Sequence, residues 1–153
     1  MMHNRILWTI SLPIAVALTQ GHMLPTQAAP VASGVDRPHI EVLGEWGNAP
    51  RENVQKVLDS AAGQLLRFCP GRRLGTISVR HHEGAPITLY DKGPQGQYQV
   101  LLNAQGTHWG QFAYQFSHEL GHTLCNYDRR KEGRNLWFEE ALCETASLFA
   151  MRK

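Results

Sequence analysis

The run His118-Glu119-Leu120-Gly121-His122 concentrates more chemistry than any other stretch of this chain. On a helix, residues four apart differ by only about 40° in direction, so His118 and His122 project side by side and can grip one metal ion. Glu119 points off at about 100° and stays free to move a proton. Catalytic zinc takes three protein ligands and keeps its fourth position for water, so one ligand must come from elsewhere. The acidic stretch Trp137-Phe138-Glu139-Glu140-Ala141-Leu142-Cys143-Glu144 is the supplier in view. Glu140 is the expected third ligand, because Glu144 repeats its direction one turn later and can accept the free ring N–H of a liganding histidine. Glu139, about 100° away, is the alternative ligand.

Two helices must carry these groups. From His108 to Cys125, Phe112, Phe116, Leu120 and Leu124 recur at helical spacing and bury one face. Asn126 to Asn135 reads as a loop, and Leu136 to Met151 as the last helix. Upstream, His39 to Leu43 alternates like a half-buried strand, and Arg51 to Phe68 is amphipathic until Pro70-Gly71 stops it. Leu74 to His81, Pro86 to Tyr90 and Gln97 to Asn103 read as three strands of a meander. The order is β, α, β, β, β, α, α, an α+β domain with a short mixed sheet and a covering helix. Phe112, Phe116, Trp137, Phe138 and Phe149 are expected in its core, and His39, His81, His82 and His108 at surface or strand-edge positions.

His-Glu-x-x-His, a tryptophan and then x-Glu-x-x-x-Glu resemble the gluzincin clan of metallopeptidases, the thermolysin-like and aminopeptidase-N-like enzymes, over residues 108–149. The resemblance implies a zincin-like fold and one Zn2+ held by His118, His122 and Glu140. It further implies Glu119 as general base, Glu144 as outer partner, and a peptide or protein substrate. The strand Gln97 to Asn103 would correspond to the edge strand on which such enzymes lay an extended peptide. The chain departs from the aminopeptidase pattern. It has one residue fewer between the second histidine and the glutamate, Ala141 in place of a glycine, and Val100-Leu101-Leu102-Asn103-Ala104 where a Gly-x-Met-x-Asn element would grip a substrate N-terminus. Exopeptidase specificity is therefore not implied. The clan's oxyanion-stabilising Tyr or His lies downstream of the stretch matched, which leaves Tyr114, Tyr127, His81 and His82 as local candidates.

A composition of 42% hydrophobic and 18% charged residues belongs to a globular protein, and a net charge of +2 marks no nucleic-acid or anionic-membrane surface. Residues 1–28 read as an export signal: Arg5 precedes the uncharged run Ile6 to Leu18, and cleavage sites follow Ala28 or Ala17. That run is too short to span a bilayer, so no stable membrane span is expected after cleavage. Residues 29–38 form a linker, 39–153 the zincin-like domain, and the expected location is periplasmic or extracellular. There, Cys69, Cys125 and Cys143 would favour one disulfide and one free thiol, and a Cys125–Cys143 bridge would staple the last two helices. Two functions follow from this reading: a zinc-dependent peptidase, or a non-catalytic zincin-fold module that keeps zinc for structure. A structural zinc would more often close its shell with a fourth ligand such as Cys125 or Cys143, and has no need of Glu119.

Overall fold

Strand β1 (Ile40–Leu43) follows from its alternation: Ile40 and Val42 are buried while Glu41 faces solvent. The computed structural model describes residues 37–125 and 135–152. The expected export signal, most of the linker and the centre of the last loop lie outside these residues. Helix α1 (Arg51–Leu66) enters through Pro50, whose fixed φ of −61° suits a helix start, and buries Val54, Leu58, Ala61, Ala62, Leu65 and Leu66. It ends two residues earlier than the sequence suggests, leaving Phe68 exposed instead of in the apolar stripe.

Strands β2 (Ile77–His81), β3 (Ile87–Thr88) and β4 (Tyr98–Leu102) complete a four-stranded sheet in the order β1-β2-β4-β3. β1 and β2 run parallel with α1 as their crossover, and β2 pairs in parallel with β4, Ile77 opposite Tyr98. Only β3 is antiparallel, with Ile87 opposite Leu101 and Thr88 opposite Val100. The expected meander is thus half formed. β3 and β4 make a hairpin, closed by Gly93 N–H to the Gln97 carbonyl and by Gly96 at φ +79°. β2 passes β3 over and pairs with β4. The reason is burial: Ile77, Val79, Val100 and Leu102 are fully enclosed, as central parallel strands are, whereas two-residue β3 with exposed Ile87 suits an edge.

Helix α2 (Trp109–Leu124) packs on α1 and on strands β3 and β4, with Phe112, Phe116 and Leu120 fully buried in the common core. Each of these side chains contributes about 1.5–3 kcal/mol of apolar burial. Trp46 seals the end of this core against Phe112 and His81, ring centroids 5.5 and 5.9 Å away. Helix α3 (Leu136–Ala150) lies along α2 and buries Glu139, Cys143 and Ser147. Trp137 and Phe138, expected in the core, stand 71% and 52% exposed on its outer side. The described fold is α+β: a small mixed sheet and three helices. None of the described helices is long and apolar enough to cross a membrane.

Candidate metal centre

The site lies on the contact between α2 and α3, and Gly121 sets how close the two helices come. A Cβ on Gly121 would stand 2.8 Å from Cys143 Sγ and 3.1 Å from Cys143 Cα, so a side chain there would force the helices apart. Close approach brings the first turns of α3 over the two histidines. His118 Nε2 lies 3.2 Å from Glu140 Oε2, and His122 Nε2 lies 3.6 Å from Glu140 Oε1. One donor atom from each of the three residues lies within 4.8 Å of the others.

The spacing can be tested against a metal. Ligands at about 2.05 Å from a tetrahedral zinc stand about 3.3 Å from one another, simple geometry from the usual Zn–N and Zn–O bond lengths. The two histidine–Glu140 separations, 3.2 Å to Oε2 and 3.6 Å to Oε1, lie on either side of that value, each to a different oxygen of the carboxylate. Two imidazoles and a carboxylate are also a borderline N/O donor set of the type zinc takes in open, three-ligand sites. Among the described residues this grouping contains no thiol. The three residues have the donor types and the proximity to hold a metal ion.

The other edge of each histidine ring faces a carboxylate. His122 Nδ1 lies 3.1 Å from Glu139 Oε1 with both side chains buried, and a donated Nδ1–H leaves Nε2 as the lone-pair nitrogen turned to Glu140. Glu139, the alternative ligand, is therefore on the wrong side of the ring to share an ion with His122 Nε2. Its position serves to hold the ring. Glu144 Oε2 lies 3.6 Å from His118 Nδ1, within ion-pair range but longer than a hydrogen bond. Its closer partner is Tyr114, whose hydroxyl is 2.7 and 2.6 Å from the two carboxylate oxygens.

Glu119 is 4% exposed. Burial raises its carboxyl above the ordinary range, opposed by a hydrogen bond from Thr88 and by the nearby histidines. Thr88 Oγ1 is 2.9 Å from Glu119 Oε2 and 3.1 Å from the Glu119 carbonyl oxygen, so its single proton ties the edge strand to the buried acid. A threonine in a two-residue strand gives no linear signal of this contact, and sequence reasoning missed it. The strand that meets the site at the sheet edge is thus β3. The expectation that Gln97 to Asn103 forms that edge is corrected, since β4 is paired on both sides.

Beside the donors opens a cleft of about 210 Å³ lined by Pro86, Tyr114, Gln115, His118, Glu119 and Glu144. Of the local oxyanion candidates, Tyr114 alone among the described residues lines it. His81 bonds Gln105 and His82 bonds the Ala85 carbonyl, while Tyr127 lies outside the described residues. No disulfide joins Cys69, Cys125 and Cys143, so the expected bridge is not formed. Burial pushes the Cys143 thiol well above its usual range. Comparison with protein-family models, with curated proteins and with solved structures finds no match to this chain.

Proposed function

We propose that this chain is an exported, zincin-like, zinc-dependent hydrolase that cleaves peptide bonds by water attack. The observation that carries the reading is the convergence of one donor atom each from His118, His122 and Glu140 within 4.8 Å, beside a buried glutamate that lines the same cleft as His118. A zinc ion, when bound, supplies Lewis acidity toward a carbonyl oxygen and toward water. His118, His122 and Glu140 hold it, and Glu139 keeps the His122 ring in the tautomer that presents Nε2.

Glu119 takes the proton of the attacking water and later delivers it to the leaving amine. Its burial supports that role, because a carboxyl raised above the ordinary range holds a proton better than a surface glutamate does. Thr88 aims the carboxylate from the edge strand. The outer side of β3, where Ile87 is 39% exposed, offers an extended peptide a short edge on which to add as a further strand.

The test compares the purified chain with Glu119→Gln for zinc content and for cleavage of a quenched peptide library. One zinc per chain in both proteins, with cleavage only in the unsubstituted one, is the expected result. Zinc in both and cleavage in neither would favour the non-catalytic module, and a chain that takes no zinc would sink the site.

A further inference from the structure

Helix α3 turns its three carboxylates, Glu139, Glu140 and Glu144, toward His118 and His122. Its opposite side carries no charge. Phe138, Leu142, Thr145 and Phe149 follow one another at four, three and four residues. At about 100° per residue they fall within about 60° of arc, the spacing of a helix–helix seam. The one hydroxyl on this seam, that of Thr145, is committed to the Ala141 carbonyl 2.7 Å away. Trp137, Phe138, Leu142, Leu148 and neighbouring Phe68 are 45–71% exposed. Together they leave about 500 Å² of apolar surface open, a large patch for a monomer. It is close to what one side of a standard homodimer interface takes, about 65% of about 800 Å².

The face has two unlike halves. Trp137 and Phe138 protrude from the first turn of α3. Toward its other end, the last residues of α1 and α2 come up beside α3 and frame an apolar groove of about 320 Å³, lined by Phe68, Leu124, Leu142, Thr145 and Phe149 among others. Phe68 and Phe149 meet edge to face at 5.2 Å, and the Arg67 guanidinium lies 4.7 and 5.9 Å from their ring centres. Leu142 divides the two halves: Phe138 stands four residues before it, Thr145 and Ala146 three and four after. A two-fold interface requires a patch that fits itself, residue i on j and j on i. We propose that two copies of this chain pair through this face, their α3 helices antiparallel and crossing at Leu142. Each copy then sets Phe138 over the groove of the other, and Leu142 meets its own mate at the axis. A lipid surface would call for neither knob nor groove. The carboxylate side of α3 stays turned to the histidines, so the pairing braces the helix from outside.

The inference does not depend on the hydrolase reading. Sedimentation equilibrium of the purified chain should give the mass of two chains at about 100 µM. Leu142→Glu and Leu142→Lys should each sediment as monomers there, the dissociation constant raised by at least about 100-fold, because each sets two like charges against one another at the axis. An equimolar mixture of the two variants should recover the dimer mass, since the charges then oppose. Phe138→Ala should weaken the dimer by about 10–100-fold through loss of the knob. All these positions are exposed, so circular dichroism of each variant should match that of the unsubstituted chain. A chain that is monomeric at about 100 µM would overturn the proposal, and one that is monomeric yet sediments with anionic vesicles would replace the second copy by a lipid surface. Charged variants that remain dimeric, or a mixture of folded variants that stays monomeric, would remove Leu142 from the axis and overturn it as well.

Discussion

Gly121 and Cys143 face each other across the α2–α3 contact with no room for a further atom: a methyl on Gly121 would lie 2.8 Å from the thiol sulfur. The spacing of His118, His122 and Glu140 depends on this contact, because Glu139 and Glu140 ride on the helix that Cys143 anchors. Gly121→Ala should therefore destabilise the chain although alanine is the better helix former by about 1 kcal/mol. Overpacking costs typically about 1–3 kcal/mol, so a net loss of up to about 2 kcal/mol is expected in urea melts. Adding Cys143→Ala should recover only part of it, since the Cys143 Cα at 3.1 Å remains.

Glu139 and Glu140 touch opposite edges of the same imidazole, at His122 Nδ1 and Nε2. Removal of the outer partner typically lowers metal affinity about 10–100-fold, and Glu139→Ala should fall in that range because it takes the carboxylate away from the buried His122 Nδ1. Glu140→Ala removes the proposed third ligand and should cost more. Zinc affinities in the reverse order would exchange the two roles.

Thr88 is fully enclosed and holds the buried Glu119 carboxylate from β3. Thr88→Val keeps the shape and deletes the donor. A loss of about 1–3 kcal/mol in stability is expected from the uncompensated acid, with a fall in kcat as Glu119 loses its aim. Unchanged stability and turnover would show that Thr88 merely packs.

Cys143 gives the pH dependence. Its folded thiol titrates above its ordinary value because it is buried, whereas the unfolded thiol ionises near about 8.5. Above that pH the folded state binds more protons than the unfolded one, so stability falls as pH rises, by at most about 1.4 kcal/mol per pH unit. Below it the term vanishes. Cys143→Ala should flatten the slope between pH 9 and 11 in denaturant titrations, and native Cys143 should resist alkylation at neutral pH while partly exposed Cys69 reacts.

Metal binding should appear in the melting temperature. Zinc at about a hundredfold over its dissociation constant adds about 2.7 kcal/mol to the folded state, roughly 10–20 °C for a domain of this size. A chelator should remove that increment, Glu140→Ala should abolish it, and Glu119→Gln should retain it. A melting temperature indifferent to zinc would count against the three-ligand site.

Local spacing was enough for what depends on one helix at a time. His118 and His122 share a face because they are four apart, Glu140 and Glu144 for the same reason, and the order of strands and helices followed from apolar periodicity. Placement of β1, α1 and α2 needed nothing more, since each buries one stripe. Relations between elements were decided by tertiary structure. Which edge of His122 meets Glu139 and which meets Glu140 depends on the rotation of α3 against α2, set by the Gly121–Cys143 contact. That β3 rather than β4 forms the sheet edge, bringing Thr88 to Glu119, follows from which strands must be buried on both faces, and no local pattern encodes that choice. The outward turn of Trp137 and Phe138 has the same origin: an apolar residue on a helix is buried only if another element arrives to cover it.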